Sequence, residues 1–184
     1  WPEAELNVSG PHATGSTPYG ETRGYVDGHL HGMAFEFLGG KARCGRPWHP
    51  YGITYALVDC PDHQPGGRGA LLEDVLSGNT PGQGHDTVGW PSFNYWPNNA
   101  SLTHEQVYYK WLERAWMGGL RMYTNLLVDN GQLCELYPYK KNSCNEMDGV
   151  RLQAQRLHEM IRYIDDLQAI ADDYLKQRQE EPCR

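Results

Sequence analysis

Hydrophobic residues repeat at helical spacing in two segments of the second half of the chain. Val107, Trp111 and Ala115 are four residues apart, and this spacing predicts a helix with one buried face over 101–118. A longer helix is predicted over 148–177. Its apolar face would consist of Val150, Leu157, Ile161, Ile164, Leu167, Ala171 and Leu175. These two helices are the strongest structural predictions from the pattern.

The remaining pattern predicts short strands and loops. Residues 120–128 are predicted to form a strand that ends in a turn at 129–131. In the first half of the chain, a run with β-branched and aromatic residues predicts a strand over 25–31, and a second strand is predicted over 53–59. A short helix is predicted over 71–76. The glycine- and proline-rich sequence elsewhere in this half excludes long helices.

The predicted order of strand, helix, strand, helix is typical of an α/β fold with a parallel sheet. The chain between the strands at 25–31 and 120–128 is much longer than a connecting helix requires. We therefore predict a loop-rich insertion over 38–100, after the first strand. Insertions at this position lie at the carboxyl ends of the strands, where α/β proteins build functional sites.

Charge and composition exclude some classes of partner. The 184 residues include 16 Lys and Arg against 23 Asp and Glu, which gives a formal net charge of −7. An acidic chain repels phosphates, so we expect no nucleic-acid partner. No apolar run is long enough to cross a bilayer, and no signal peptide is evident in the sequence as printed, so we expect no membrane span.

The motif with the clearest chemistry is Asp27-Gly28-His29-Leu30-His31. Side chains alternate between the two faces of a strand, so His29 and His31 point the same way and can bind one metal ion. Asp27 lies on the same face and is a candidate partner of a ligand histidine or a contact for substrate. Two half-buried polar residues at a strand end are the alternative interpretation.

This strand resembles the first strand of the amidohydrolase superfamily, whose members are metal-dependent hydrolases built on a (β/α)8 TIM-like barrel. The region 27–166, with MAFEFLGG at 33–40, CGRPWHP at 44–50 and NSCNEMD at 142–148, also resembles large bacterial proteins described as dipeptidase-like hydrolases. The superfamily resemblance implies an ion held by the two histidines of the first strand, by a bridging carboxylate or modified lysine, by two further histidines and by a late aspartate. Only His29 and His31 match this set residue by residue.

The resemblance also implies a domain organisation. A (β/α)8 barrel has about 250 residues and eight strand–helix units, whereas two such units are predicted here. We therefore expect an N-terminal extension over 1–24, a partial barrel over 25–178 and a truncated tail over 179–184. In this interpretation the rest of the barrel is missing and the chain is an N-terminal fragment.

Two acidic residues and two pairs of cysteines are further candidates. Glu36 and Asp129 follow predicted strands, and each could contact substrate or a ligand histidine; a solvent-facing side chain and a turn residue are the respective alternatives. Cysteine and histidine, the residue types that bind zinc, occur at Cys44, His49, Cys60 and His63, although their spacing is irregular. We call these four residues the zinc-like series. The alternatives are a disulfide between Cys44 and Cys60 in an exported protein and two inert thiols in a cytosolic one, and a second disulfide is allowed between Cys134 and Cys144. The cysteine pattern favours an exported protein.

We therefore expect a metal-dependent hydrolase, with zinc as the favoured divalent ion and an amide or peptide-like small molecule as substrate. The substrate class follows from the resemblance alone. Two alternatives remain open: a phosphoesterase with a His-x-His metal site, and a non-catalytic module whose aromatic loops bind a polymer such as a glycan.

Overall fold

The computed structural model describes residues 3–6, 8–57, 105 and 107–180. The elements in chain order are strand β1 (Tyr25–Leu30), a 3₁₀ segment (Ala34–Gly40), helix α1 (Ile53–Ala56), helix α2 (Tyr109–Met117), strand β2 (Leu120–Asn125), helix α3 (Gly131–Leu136) and helix α4 (Glu146–Glu180). The predicted helix at 71–76 and most of the predicted insertion lie outside the described residues.

Strands β1 and β2 form a two-stranded parallel sheet. Tyr25 pairs with Leu120 at one end and Leu30 with Asn125 at the other, so the carboxyl ends of both strands meet at one edge. The parallel direction is the one expected from the strand, helix, strand order. A sheet of two strands does not test barrel closure, so the barrel remains a prediction.

The structure corrects two local predictions. Residues 53–56 form the short helix α1 instead of the start of a strand, because Ile53 and Ala56 pack on Tyr108 and Tyr109 and are buried by that contact. Residues 131–136 form helix α3, where only a turn was predicted. The side chain of Asn130 caps α3 by accepting a hydrogen bond from the Leu133 amide at 2.9 Å.

Among the described residues, the buried side chains form three clusters around these elements. One joins α1 to α2, one joins the 3₁₀ segment to α3, and one joins Met33 and Phe35 to Met160 of α4. Trp48 packs against the first and third clusters and lies edge-on to Phe35, with ring centroids 6.4 Å apart. Trp48 is therefore a packing residue of the core.

The segment before β1, predicted as an extension, is attached to α2. Glu3 accepts hydrogen bonds from the hydroxyls of Tyr108 and Tyr109 at 2.6 and 2.8 Å. Burial, with the hydrogen bond to Glu3 as the next cause, raises the pKa of both tyrosines well above their usual range. Closer to β1, Arg121 donates to the carbonyl of Ala13 at 2.8 Å.

Large apolar side chains remain exposed on the sheet and on the second half of α4. Val26 and Met122 are 60% and 61% exposed, and Ile170 is 67% exposed. Among the described helices, none combines the length and the apolar composition that crossing a bilayer requires.

A disulfide joins Cys134 of α3 to Cys144, which precedes α4, with the Cα atoms 5.5 Å apart. This is the pairing that the sequence allowed. It closes the loop that carries Lys141 and Asn142 toward the 3₁₀ segment, where the amides of both residues donate to the Gly39 carbonyl.

Candidate metal site at the carboxyl end of strand β1

The side chains of His29 and His31 converge at the end of β1. Their Nε2 atoms are 2.9 Å apart, and their rings meet edge to face with centroids 4.8 Å apart. A tetrahedral zinc ion with Zn–N distances of about 2.0–2.1 Å requires its two nitrogen ligands about 3.3 Å apart. The two nitrogens are therefore within a few tenths of an ångström of the separation that one ion requires.

The protein also determines which nitrogen of His31 carries a hydrogen. Nδ1 of His31 lies 3.2 Å from the carbonyl oxygen of Leu126. Because a carbonyl oxygen only accepts hydrogen bonds, Nδ1 must be the donor, and in the neutral ring the lone pair is then on Nε2. In the metal-free protein Nε2 of His29 therefore donates a hydrogen bond to Nε2 of His31 at 2.9 Å, and a metal ion has to displace this hydrogen. A hydrogen bond from the remote ring nitrogen is the usual way in which proteins orient a metal-binding histidine.

Asp27 does not reach the metal-facing nitrogens. Its Oδ1 atom accepts a hydrogen bond from the backbone amide of His29 at 2.9 Å, so it shapes the backbone between the two positions. Asp27 and His29 are both exposed, whereas His31 is half-buried.

Asn125 was not a candidate from the sequence, although it lies beside this site. It pairs with Leu30 in the sheet, and its Oδ1 atom accepts from the Gly32 amide at 2.9 Å. Its Nδ2 atom is buried and has no hydrogen-bond partner among the described residues. A polar residue at the end of β2 was the available signal, but the predicted strand ran on to 128.

Glu36 lies in a different environment from the one expected near a metal ion. It is 1% exposed, and its carboxylate accepts hydrogen bonds from Arg156 at 3.0 Å and Asn142 at 2.7 Å and forms an ion pair with Lys141 at 3.0 Å. Both carboxylate oxygens are occupied by these contacts. The structure thus places Glu36 at a junction of the 3₁₀ segment with α4 and the preceding loop.

Asp129 connects the chain after β2 to the 3₁₀ segment. Its Oδ1 atom accepts from the amides of Leu38 at 3.2 Å and Asn130 at 2.8 Å. Its Oδ2 atom is buried against Gly149 of α4 and has no hydrogen-bond partner within the described part of the chain. Leu38 has a φ of 48°, a strained value for leucine, and the bond to Asp129 helps to hold it.

The zinc-like series is described only at Cys44 and His49, because Cys60 and His63 lie outside the described residues. Cys44 is disulfide-bonded. A sulfur in a disulfide is not the thiolate that binds zinc. Nδ1 of His49 accepts a hydrogen bond from the Tyr51 amide at 3.1 Å, so Nε2 of the neutral ring carries the hydrogen and has no lone pair for a metal.

In residues 3–57 and 107–180, as far as the structure describes them, no group of three or more His, Cys, Asp or Glu side chains could hold a metal ion. His29 and His31 are thus a pair of candidate ligands. Comparisons with protein-family models, with curated proteins and with solved structures found no match to this chain.

Proposed function

We propose that this protein is a metal-dependent hydrolase, with His29 and His31 as two ligands of a divalent ion and zinc as the favoured metal. The convergence of the two Nε2 atoms to 2.9 Å supports this proposal most directly. The site is at the carboxyl end of a parallel strand, where α/β proteins place their functional groups. The proposed substrate is an amide or peptide-like small molecule, and this class rests on the resemblance alone.

The residues of the chain prepare the site for an ion in two ways. The Leu126 carbonyl orients the His31 ring and keeps the lone pair on Nε2. Asp27 holds the His29 backbone at the strand end. When bound, a divalent ion supplies Lewis acidity and lowers the pKa of a coordinated water, the chemistry that hydrolysis of an amide requires.

A catalytic zinc has three protein ligands and an open position for water. His29 and His31 supply two of these ligands, so the proposal requires at least one more from outside the described residues. In the family that the histidine strand resembles, the further ligands come from later strands of the barrel. The resemblance implies the same source here.

Metal content tests this proposal directly. Zinc is added to the purified chain and to the double variant His29→Ala/His31→Ala, and bound zinc is measured at equilibrium without dialysis, because an ion held by two of its three protein ligands dissociates readily. His158→Ala is a matched control, because His158 is an exposed histidine on α4. We expect zinc in the native chain and in the control, and its loss from the double variant.

Two results would overturn the proposal. If the native chain binds no zinc, manganese, cobalt or nickel after reconstitution, the metal site is refuted. If zinc remains in the double variant, the ion is held elsewhere, and a metal-stabilised binding module becomes the better interpretation. Circular dichroism of each variant distinguishes loss of ligands from loss of fold.

A further inference from the structure

A pocket lies between the 3₁₀ segment, the chain at 41–46, helix α1 and Lys141, and it has a volume of about 260 Å³. Four cationic side chains contribute to its wall: Lys41, Arg43, Arg46 and Lys141. None of the described lining residues is acidic. This concentration of positive charge is unusual in a chain whose formal net charge is −7.

The charge of the pocket is largely uncompensated by the described residues around it. Lys141 pairs with Glu36 at 3.0 Å, but Glu36 is shared with Arg156, also at 3.0 Å. Lys41, Arg43 and Arg46 form no ion pair with any described acidic residue. Cations that lack acidic neighbours raise the local concentration of anions.

The backbone of the pocket allows these side chains to come together. Gly40 has a φ of +75°, and a Cβ atom there would lie 2.4 Å from Lys141 Cε and 2.5 Å from Asn142 Nδ2. The absence of a side chain at Gly40 thus lets Lys141 reach Glu36 across the 3₁₀ segment. Phe35, 2% exposed, provides an apolar surface beneath Lys141, whose Nζ lies 5.8 Å from the ring centroid.

His49 adds a neutral donor to this wall. Burial, followed by the charge of Arg46, lowers the pKa of His49 below its ordinary value, so the ring is mostly neutral at pH 7. Because its Nδ1 accepts from the Tyr51 amide, the hydrogen of the neutral ring is on Nε2. His49 also stacks on Tyr55 at 5.4 Å with an interplanar angle of 17°, which holds the ring in place.

We propose that this pocket binds the oxyanion group of a small molecule, a phosphate or a carboxylate. Guanidinium groups donate paired hydrogen bonds that match both groups, and lysines add point charge. The pocket shares no residue with the His29 and His31 pair, so this proposal is independent of the metal site.

Isothermal titration calorimetry with inorganic phosphate tests the proposal at constant ionic strength maintained with chloride. We expect saturable binding by the full chain and a dissociation constant raised about tenfold or more in Arg43→Gln, the usual effect of losing a charge-assisted hydrogen bond. Arg46→Gln is the second variant, and its exposed side chain makes it the safer substitution for folding. Arg151→Gln is the matched control, because Arg151 is 72% exposed on α4, and we expect no change there.

A parallel titration with N-acetylglycine distinguishes the two sources of the anion. Tighter binding of phosphate assigns the pocket to phosphorylated ligands, and tighter binding of the carboxylate assigns it to carboxylates; either result supports an oxyanion site. The proposal is overturned if neither anion binds, or if Arg43→Gln and Arg46→Gln bind as the native chain does. It is equally overturned if Arg151→Gln weakens binding to the same extent, because the anion would then be attracted by the overall charge of the protein and not by the pocket.

Discussion

The Nδ1 atom of His31 lies 3.2 Å from the carbonyl oxygen of Leu126, a residue that follows β2. This hydrogen bond joins the ends of the two parallel strands and sets the tautomer of the histidine. One contact thus links the stability of the sheet edge to the capacity of His31 to bind a metal ion through Nε2. The exposed ring of His29 has no corresponding contact with the backbone of β2 among the described residues.

The first prediction separates these two roles. His29→Gln and His31→Gln should each weaken zinc binding by more than about tenfold, because each removes a proposed ligand. In the metal-free protein both substitutions remove the hydrogen bond between the two rings, but only His31→Gln also removes the bond to Leu126. His31→Gln should therefore lower the free energy of unfolding by about 1 kcal/mol more than His29→Gln does. Zinc competition and urea unfolding measure the two effects. Equal destabilisation by both substitutions would contradict the assigned role of Leu126.

The second prediction concerns the buried carboxylate of Glu36. Glu36→Gln should lower the free energy of unfolding by about 1.5–3 kcal/mol, because Arg156 and Lys141 lose a charged partner. Both cations remain partly exposed, so water screens part of this loss. Glu135→Gln is the control: Glu135 is 69% exposed in its pair with Lys140, and we expect a change of less than about 0.5 kcal/mol. A change at Glu36 no larger than that of the control would refute the structural role.

The third prediction concerns the contact between Gly149 and Asp129. A Cβ atom at Gly149 would lie 1.8 Å from Asp129 Oδ2. Gly149→Ala should therefore destabilise the protein, although alanine in a helix is ordinarily favoured by about 1 kcal/mol over glycine. The added substitution Asp129→Ala should recover part of the loss, because it removes the clashing atom. Thermal melting of the two single variants and the double variant tests this coupling, and strictly additive effects would contradict it.

The fourth prediction is a pH dependence caused by His49. Its pKa is lower in the folded protein than the ordinary value of 6.5, so the unfolded chain binds the proton more readily. The resulting contribution to stability is present above the unfolded pKa and is lost as the pH falls through the folded pKa. His49→Gln should flatten the dependence of unfolding free energy on pH below about 6.5. An unchanged slope, or an NMR titration with a raised pKa, would contradict the assignment.

Several features were predictable from the sequence because their signals are local. Helical spacing predicted a helix over 101–118 and another over 148–177. Helix α4 includes its predicted range, whereas α2 begins only at Tyr109, because the backbone of Tyr108 is extended. Strand alternation placed His29 and His31 on one face, and their nitrogens do converge. The allowed pairing of Cys134 with Cys144 is present. Each of these inferences requires only residues that are close together in the chain.

The tertiary structure alone decided the features that depend on distant contacts. The partners of His31 and Glu36 lie 95 and 120 residues away, at Leu126 and Arg156. No local pattern encodes such a distance, so the sequence left Glu36 between a site near a metal ion and a solvent-facing position, and its buried ion pairs were not predicted. Ile53 likewise belongs to a helix because burial against α2 outweighs the strand preference of its short segment. Local sequence patterns thus predicted β1, β2, α2 and α4, whereas packing between distant segments determined α1 and the contacts of the buried polar side chains.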